Sequence, residues 1–462
     1  MIQYFSLIDL VVGPLYLILI YFVSKSIQLR KIKDNPSYKY YLSGLFLKLL
    51  GGLAVCLIYV FYYGFGDTLN YFSDSAVISN LFLKSPTSAL KFMLGPESEL
   101  WYEFDDTTGY PMYFSDPHAI IVVKLTWLLC LFSFKSYIGM TFLLAWISFF
   151  PIWRFYQMLI REFPALIRLF AFALFFIPSV FFWGSGLLKD TITFSAVCLF
   201  ASSYGIIMIQ KKKYGQNIFL MLLSGLLLIW IKPYIFFALL PGTLLWFGGV
   251  QLSKMENKLV KALTTPFLLT ISLAAGYFML KMMSGFLGDY SLDNVLDKAM
   301  ITQQDLKNDR YQGSSFDIGD FDSTVPGILA KMPAAINAAL FRPYLWESNN
   351  VAMLISGIEN LILMCLTIYL LIKLRVFNLF RLMFRHRILF FTVYFSLFFA
   401  FSVGLTTSNF GSLVRYKIPA IPFFVISLII IWYTYKQLRL EDELSRKATP
   451  ISSGPETASL NS

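Results

Sequence analysis

The sequence predicts an all-α fold, a polytopic bundle of about 11 to 13 transmembrane helices with two long loops that contain interfacial helices. Hydrophobic residues make up 57% of the 462 positions and the mean hydropathy is +0.65, whereas a soluble domain is about 45–50% apolar. The apolar residues gather in blocks of about 17–24, long enough to cross a hydrocarbon core of about 30 Å. Short basic tracts separate these blocks, as is typical of cytoplasmic loops.

Each apolar block of sufficient length is a candidate span. In chain order the blocks are 8–24, 43–63, 119–134, 137–158, 166–182, 187–209, 217–231, 234–250, 262–283, 351–373, 388–405 and 414–435. The first block has no basic region before it and carries Asp9. We therefore expect it to be a permanent anchor rather than a cleaved signal peptide.

The basic tracts predict the orientation of the chain, because Lys and Arg are retained on the cytoplasmic side of a membrane. These tracts are 25–39, 211–213, 254–261, 373–387 and 436–447. The loops 64–118 and 284–350 then lie outside, and together they hold 17 of the chain's 27 acids. Between their Pro and Gly breaks we expect short interfacial helices at 87–94 and 327–340.

The predicted organisation is one integral membrane domain, residues 1–439, followed by a disordered cytoplasmic tail, residues 440–462, which has no aromatic residue. We expect a multi-pass protein of the inner (cytoplasmic) membrane with its active face outside the cytoplasm. The basic tracts also suit contact with anionic membrane lipid. They are too short and too scattered to indicate nucleic-acid binding.

One section of the chain leaves two topologies open. Arg154, Arg161 and Arg168 should lie inside, so that residues 119–158 would cross the membrane only once although they look like two spans. Either one of the two segments is interfacial, or these arginines face outward against the usual bias.

Cysteine and histidine usage excludes several kinds of site. All four cysteines fall in apolar spans without a pairing pattern or metal-ligand spacing, which is typical of small core residues. Two histidines are too few for a His-based zinc site and make a Ser-His-Asp triad improbable. The sequence requires no cofactor, and a divalent cation held by the outer acids is the one metal that it leaves open.

The stretch "GFGDTLNYFSDS" brings two carboxylates to the membrane edge directly after an apolar block. Asp67, Tyr71 and Asp74 have i, i+4, i+7 spacing and would share one face of a helix. Such a carboxylate can act as a general base or accept hydrogen bonds from sugar hydroxyls. We predict that Asp67 and Asp74 are catalytic carboxylates and that Tyr71 contacts the substrate. The alternative for Asp67 is a plain N-cap of a helix that begins at Thr68.

The stretch "PSVFFWGSGLLKDTI" places adjacent opposite charges at the start of a span. Charges at this depth are costly unless they face a polar cavity. We predict that Lys189 and Asp190 bind substrate, with Lys189 contacting a phosphate beside a helix N-terminus. The alternative is a capping Asp190 with a snorkelling Lys189.

A third candidate is Lys232 in "WIKPYIF", between two predicted spans. A substrate contact is one interpretation. The other is an interfacial anchor formed together with Trp230 and Tyr234.

Two further segments place cations on the predicted outer face. Arg342 in "FRPYLWES" has aromatic neighbours, and a guanidinium suits bidentate contact with a phosphate. Arg415, Tyr416 and Lys417 in "NFGSLVRYKIPAIPFF" begin the last span. Two outer cations run against the positive-inside bias and therefore indicate an anionic partner.

Taken together, these residues predict one membrane-edge site in which cations bind a lipid-linked phosphate and acids deprotonate an acceptor hydroxyl. Aromatic side chains would stack on sugar rings. This combination is the chemistry of glycosyl transfer from a polyprenyl-phosphate-linked sugar.

At these residues the chain resembles a known family. "FGDTLNYFSDSA" resembles the acidic first outer loop of C-class (GT-C) membrane glycosyltransferases, and "GSLVRYKIPAIPFFVISLII" resembles the last span of bacterial members. "PSVFFWGSGLLKD" is similar to segments in those enzymes and in bacterial exopolysaccharide polymerases. The resemblance implies inverting transfer from a polyprenyl-phosphate sugar, with Asp67 as base and Arg415 contacting phosphate. Thr68 stands where the family often has a second acid, for which Asp74 is the substitute.

Three other functions stay open from the sequence. A polysaccharide polymerase, of the O-antigen or exopolysaccharide type, would share the cationic site and needs no acidic base. A transporter or flippase would use charges within spans, for which Lys48, Lys124 and Glu359 are the candidates. A structural membrane component would have no chemistry at all.

Overall fold

A computed structural model describes residues 4–95, 101–252, 270, 315–319, 325–374, 376–383 and 386–448. These residues form helices, and the β-structure among them is a single isolated bridge between Ser315 and Asn409. The all-α, polytopic class predicted from the sequence is therefore confirmed.

The helices are numbered in chain order through the described residues. They are α1 (Leu7–Lys31), α2 (Tyr41–Ile58), α3 (Asp67–Lys84), α4 (Pro86–Leu94), α5 (Pro117–Phe132), α6 (Tyr137–Glu162), α7 (Ile167–Ala171), α8 (Pro178–Trp183), α9 (Lys189–Gly205), α10 (Tyr214–Ile231), α11 (Pro233–Leu252), α12 (Val325–Ala330), α13 (Met332–Phe341), α14 (Val351–Leu374), α15 (Val376–Met383), α16 (Arg387–Thr406), α17 (Phe410–Tyr416) and α18 (Ala420–Ala448). One turn of π-helix extends α2, α7 and α9, at Tyr59–Tyr63, Phe172–Phe176 and Ile206–Gln210.

Eight helical segments among the described residues are long and apolar enough to cross a membrane. They are Leu7–Lys31, Pro36–Tyr63, Tyr137–Glu162, Lys189–Gln210, Tyr214–Ile231, Val351–Leu374, Arg387–Thr406 and Ala420–Glu441. Among the described residues, three predicted spans differ. The blocks 119–134, 166–182 and 234–250 coincide with shorter apolar helices, and the block 262–283 lies outside the described residues.

Contacts of α5 account for the ambiguous section 119–158. The N-terminus of α5 lies beside α10, where the His118 ring is hydrogen-bonded to the Trp230 carbonyl over 2.7 Å. The turn that follows its C-terminus lies beside the start of α1, where the hydroxyl of Ser136, the N-cap residue of α6, donates to Asp9 over 2.7 Å. Both ends of α5 thus lie at one end of the bundle, which we call the site end. Of the two helices in this section, α6 runs from the site end to the other end of the bundle.

The opposite end of the bundle is marked by contacts of the far end of α6. The Asn35 amide donates to Gln157 over 2.7 Å, and Arg161 donates to Gln210 over 2.8 Å. Arg161 therefore lies at the end where the basic tract after α1 lies. A short, non-crossing α5 is the first of the two topologies that the sequence left open.

The chain between α7 and α9 is broken rather than a single span, because Pro178 cannot continue the preceding helix. The resulting six-residue α8 has a charge at each end. At its N-terminus the Ser179 amide and hydroxyl donate to Glu359, over 3.0 and 2.6 Å. At its C-terminus Lys48 donates to the Gly184 carbonyl. These charged side chains satisfy backbone groups at the two ends of the interrupted helix.

A glycine on α2 permits α8 to pack this closely. A Cβ atom at Gly51 would lie 2.0 Å from the Phe181 carbonyl oxygen, which is backbone and cannot turn away. The absence of a side chain at Gly51 is therefore required for the contact between α2 and α8.

The predicted outer loops and tail are partly described. The first loop contains α3 and α4, and α4 matches the interfacial helix expected at 87–94. Of the loop 284–350 only 315–319 and 325–350 are described, and the expected helix at 327–340 is divided into α12 and α13. The last helix continues to Ala448, past the boundary at 440 predicted for the disordered tail, because the chain from 440 keeps good helix formers.

Replacing Gly51 by Ala should destabilise the protein by about 1–3 kcal/mol or more, because the new methyl group overlaps the α8 backbone. Thermal unfolding of the purified protein in detergent measures this. Gly215→Ala in α10 is the matched control, because nothing lies within 4 Å of its Cβ position. Equal melting temperatures for the two variants would contradict the packing described here.

Candidate functional site

The chain turns sharply between the end of α2 and the start of α3. Gly64 and Gly66 have φ of 72° and 127°, values that glycine adopts without strain. Helix α3 then begins at Asp67, with Gly66 as its N-cap residue and no capping side chain. The interpretation of Asp67 as a plain N-cap is therefore wrong, and its carboxylate is available for other partners.

Those partners come from distant parts of the chain. Arg415 on α17 donates through Nη2 to Asp67 Oδ2 over 2.6 Å. The Tyr113 hydroxyl donates to Asp67 Oδ1 over 3.0 Å. Asp67 is thus a hydrogen-bonded member of an ion pair, and it joins the first loop to the segment before the last span.

A second carboxylate binds the same arginine from the other side. Asp190 is fully buried, and it accepts hydrogen bonds from Arg415 Nε over 2.6 Å and from Lys232 Nζ. Helix α9 has Leu188 at its N-cap position and no capping side chain. The capping interpretation of Asp190 is therefore wrong. Lys232 is buried too, so its interpretation as an interfacial anchor is also wrong.

Tyr416 lies against both cations. The Lys232 ammonium lies 4.7 Å and the Arg415 guanidinium 5.7 Å from the centre of its ring. Cation–π contacts with desolvated charges contribute about 2 kcal/mol. The predicted grouping of Lys232, Arg415 and Tyr416 is thus present as a physical cluster.

Lys189 completes the group at its open side. Its Nζ lies 3.6 Å from Asp116 Oδ2, an ion pair too long for a hydrogen bond. The other oxygen of Asp116 accepts from the His118 and Ala119 amides, each over 2.9 Å, and so caps α5.

We call these six charged residues the ion cluster; its members are Asp67, Asp116, Lys189, Asp190, Lys232 and Arg415. Three are acids and three are bases, so the formal charges balance. Exposure is uneven: the side chains of Asp67 and Asp116 are 40% and 45% exposed, that of Asp190 only 1%. The cluster therefore opens on the side of Asp67 and Asp116 and is closed behind Asp190.

The charges set the protonation of the two residues at its centre. Burial acts to raise the pKa of Asp67, but the charge and hydrogen bond of Arg415 and the bond from Tyr113 hold that pKa below its ordinary value. Burial opposes the charged guanidinium, yet Asp190 and Asp67 hold the pKa of Arg415 well above its usual range. Asp67 is therefore ionised but a weak base while it is paired with Arg415.

Asp74 has a structural partner instead of a place in the ion cluster. It is buried and accepts hydrogen bonds from the Met112 and Tyr113 amides, over 2.8 and 2.9 Å. Burial raises its pKa to about 6, against the effect of these two amides. Asp74 thus clamps residues 112–113 onto α3, which places the Tyr113 hydroxyl on Asp67.

Tyr71 supports the same clamp. It is 1% exposed, and its ring lies 4.9 Å from the ring of Tyr113. In this position Tyr71 has almost no surface for stacking on a sugar ring. Its predicted role as a substrate contact stays a prediction.

Arg342 and Lys417 form a separate group. Arg342 Nε donates to both oxygens of Glu347, over 3.1 and 3.2 Å, and its guanidinium covers the Phe410 ring at 5.3 Å. Lys417 is buried and donates to Asn360 over 2.7 Å. Burial lowers the pKa of Lys417 to about 8, against the attraction of Glu359. The structure therefore brings together Asp67, Lys189, Asp190, Lys232, Arg415 and Tyr416, but not these two cations.

Sequence reasoning missed two residues of the site, Tyr113 and Asp116. An Asp followed by Pro at the start of an apolar run is a typical helix N-terminus, so "SDPH" could have located Asp116 as a cap. Nothing in the sequence distinguishes Tyr113 from the other tyrosines of the first loop.

The acids of the site are paired with cations. Among the ranges that the structure describes, no group of three or more Asp, Glu, His or Cys side chains is placed to hold a metal ion. The predicted divalent cation stays a prediction.

No protein-family model, no curated protein and no solved structure matches this chain. Its function has therefore to be inferred from the geometry and charges of the ion cluster.

Replacing Asp190 by Asn should lower the free energy of unfolding by about 3–5 kcal/mol, because the buried Lys232 and the mostly buried Arg415 lose a shared counter-ion while the shape of the side chain is kept. Thermal unfolding in detergent measures the loss. Adding Lys232→Met restores the balance of formal charge and should recover much of the stability. Asp105→Asn, which removes an exposed ion pair with Lys84, should leave unfolding nearly unchanged. If Asp190→Asn alone were as stable as the parent, the role of Asp190 would be contradicted.

The stability of the protein should depend on pH through Asp74. Its pKa is about 6 in the folded protein and 3.8 when unperturbed, so the folded state binds more protons between these values. Stability from this group is therefore fully present below about pH 3.8 and is lost as pH rises through about 6. The melting temperature of the parent minus that of Asp74→Asn, measured across this range, should fall with rising pH. A flat difference would refute this assignment.

Proposed function

We propose that this protein is a membrane glycosyltransferase that moves a sugar from a polyprenyl-phosphate-linked donor to an acceptor hydroxyl, with Asp67 as the base. The observation that supports the proposal most is that the partly exposed Asp67 carboxylate lies at the opening of the ion cluster, beside the cations Arg415 and Lys189. A carboxylate and several cations at one membrane-edge opening are the groups that this reaction needs.

The proposed reaction is one displacement. The acceptor oxygen forms a bond to C1 of the donor sugar while the bond between C1 and the phosphate oxygen breaks, and its electron pair stays on the polyprenyl phosphate. The proton of the acceptor hydroxyl passes to Asp67 and from there to water. The products are the glycosylated acceptor and polyprenyl phosphate, with the configuration at C1 inverted.

Two donors in the ion cluster suit the phosphate. Arg415 uses Nε and Nη2 for Asp190 and Asp67, and its Nη1 has no partner among the described residues. Within the described part of the chain, Lys189 makes one ion pair, the long one with Asp116. Charge-assisted hydrogen bonds from these two nitrogens would stabilise the negative charge that develops on the leaving phosphate.

The charges within the spans favour an enzyme over a transporter. Lys48 and Glu359 bind the two ends of α8, so each has a structural task in holding an interrupted helix. The third candidate, Lys124, lies 5.1 Å from the centre of the Phe92 ring. These residues therefore give little support to a path for ions or substrates through the bundle.

A polysaccharide polymerase is the second candidate function. The ion pair with Arg415 makes Asp67 a weak base in this structure, which favours a reaction that relies on the cations alone. The site would then bind a lipid-linked diphosphate, and Asp67 would only balance charge.

We place the reaction at the outer face of the inner membrane. The support is that the ion cluster lies at the site end, while the basic tract after α1 lies at the opposite end of the bundle. Membrane lipid would carry the donor to the site, and the proposed mechanism needs no metal.

Replacing Asp67 by Asn should lower turnover about 100-fold or more, because a positioned base contributes about 10²–10⁴ to such a step. The protein would be reconstituted in nanodiscs with polyprenyl-phosphate-linked hexoses and a cell-envelope lipid extract. Release of free polyprenyl phosphate is the measurement, because it does not depend on knowing the acceptor.

Asp105→Asn is the control for the loss of an acid from the same loop, and it should keep full turnover. Activity of Asp67→Asn above half that of the parent would refute the base and favour the polymerase. Products that grow by whole repeat units would favour the polymerase as well.

A further inference from the structure

The Arg415 guanidinium is shared unequally between its two carboxylates. Asp190 is buried and is also held by Lys232, so its contact with Arg415 is protected. Asp67 lies at the opening, and its other hydrogen bond comes from the neutral Tyr113 hydroxyl. An anion that enters the opening can therefore replace Asp67 at Arg415, but it cannot replace Asp190.

The charge balance of the ion cluster favours such a replacement. Three acids already match three bases, so one more anion leaves the group negative unless a carboxylate moves away or is protonated. Asp116 caps α5 through two amides and Asp190 is enclosed, so both are held in place. Asp67 is the carboxylate that can yield at the lowest cost.

We propose that Asp67 and the phosphodiester of the donor compete for Arg415, so that donor binding releases Asp67 and makes it the base. This inference rests on the function proposed above and adds to it the order of events, in which donor binding precedes the release of Asp67. Before the donor binds, Asp67 is tied to Arg415. Once the phosphate has taken its place, the freed carboxylate lies beside a bound donor and is ready for the proton of the acceptor.

The consequence is a base that exists only while its substrate is bound. The pairing with Arg415 is the main cause that holds the pKa of Asp67 down against burial, so its loss must raise that pKa. Other titratable groups act on Asp67 or on its partners. They are Tyr59, Tyr71, Tyr113, Asp116, Lys189 and Asp190.

Competition predicts that removing Asp67 tightens binding of the anion, whereas removing a residue that contacts the anion would weaken it. Asp67→Asn removes the internal competitor, so it should bind an anionic phosphodiester about tenfold more tightly than the parent, the value of about one charge-assisted hydrogen bond. The probe is farnesyl methyl phosphate, a diester with a fixed single charge. Binding is measured by calorimetry on the purified full-length protein in nanodiscs.

Three control measurements accompany this experiment. Asp105→Asn changes the net charge equally but removes an acid paired with Lys84, so its affinity should equal that of the parent. Farnesol, which has no charge, should bind both proteins alike. Dimethyl phosphate separates the two sources of the anion: tightening for the farnesyl diester alone indicates a lipid headgroup, and equal tightening for both indicates a soluble phosphodiester.

A second measurement needs no folded variant. At pH 5 the parent should take up a fraction of a proton for each farnesyl methyl phosphate bound, because release from Arg415 raises the pKa of Asp67. Calorimetry in buffers of different ionisation enthalpy gives this number. Asp67→Asn, where it folds, should take up less.

Equal or weaker binding by Asp67→Asn, or binding without proton uptake by the parent, overturns the competition. Failure of the transferase is a separate outcome. Tighter binding and proton uptake in a protein that never releases polyprenyl phosphate would keep the competition and reject the proposed reaction. Turnover that requires Asp67, without any tightening, would keep the reaction and reject the competition.

Discussion

The buried charge of Asp190 is the constraint on which the site end of the molecule depends. A carboxylate enclosed at the start of a membrane-spanning helix is tolerated only when cations and hydrogen bonds surround it. Here Lys232 and Arg415 supply both, from the turn before α11 and from α17. One carboxylate therefore fixes three parts of the chain that lie far apart in sequence. Arg415, once fixed, is in place to hold Asp67 and with it the start of α3.

The functional consequence is a site in which opposite charges neutralise each other until a ligand arrives. Cations gathered at the site end suggest an external anion, yet Arg415 has two internal carboxylate partners. The two carboxylates differ in exposure, so the contact of Arg415 with the buried Asp190 is structural, whereas its contact with the partly exposed Asp67 is the one that we propose is exchanged. The clamp of Asp74 on residues 112–113 supports this division, because it places the Tyr113 hydroxyl on Asp67 without adding a charge.

Local sequence rules predicted the elements better than the roles of single residues. Eight helices among the described residues are long and apolar enough to cross a membrane. Helix α5 and the segments around Pro178 are short, because contacts with the bundle and a helix break decide where a helix ends. The capping interpretations of Asp67 and Asp190 were reasonable from position alone. They are wrong because each carboxylate has a cationic partner at long range, and a charge-assisted bond is stronger than a cap. Arg342 was grouped with the site by its chemistry, while Glu347, five residues on, is its actual partner.

The sequence by itself determined that this chain is a polytopic helical membrane protein and that acids and cations gather near the ends of its spans. Composition and block length suffice for this, because the bilayer sets both the length and the apolarity of a crossing helix. Only the tertiary structure decided which charges meet. The pairing of Asp67 with Arg415 spans 348 positions of the chain. No local pattern encodes this pairing, since it exists only because packing of the helices brings these two distant residues to one opening.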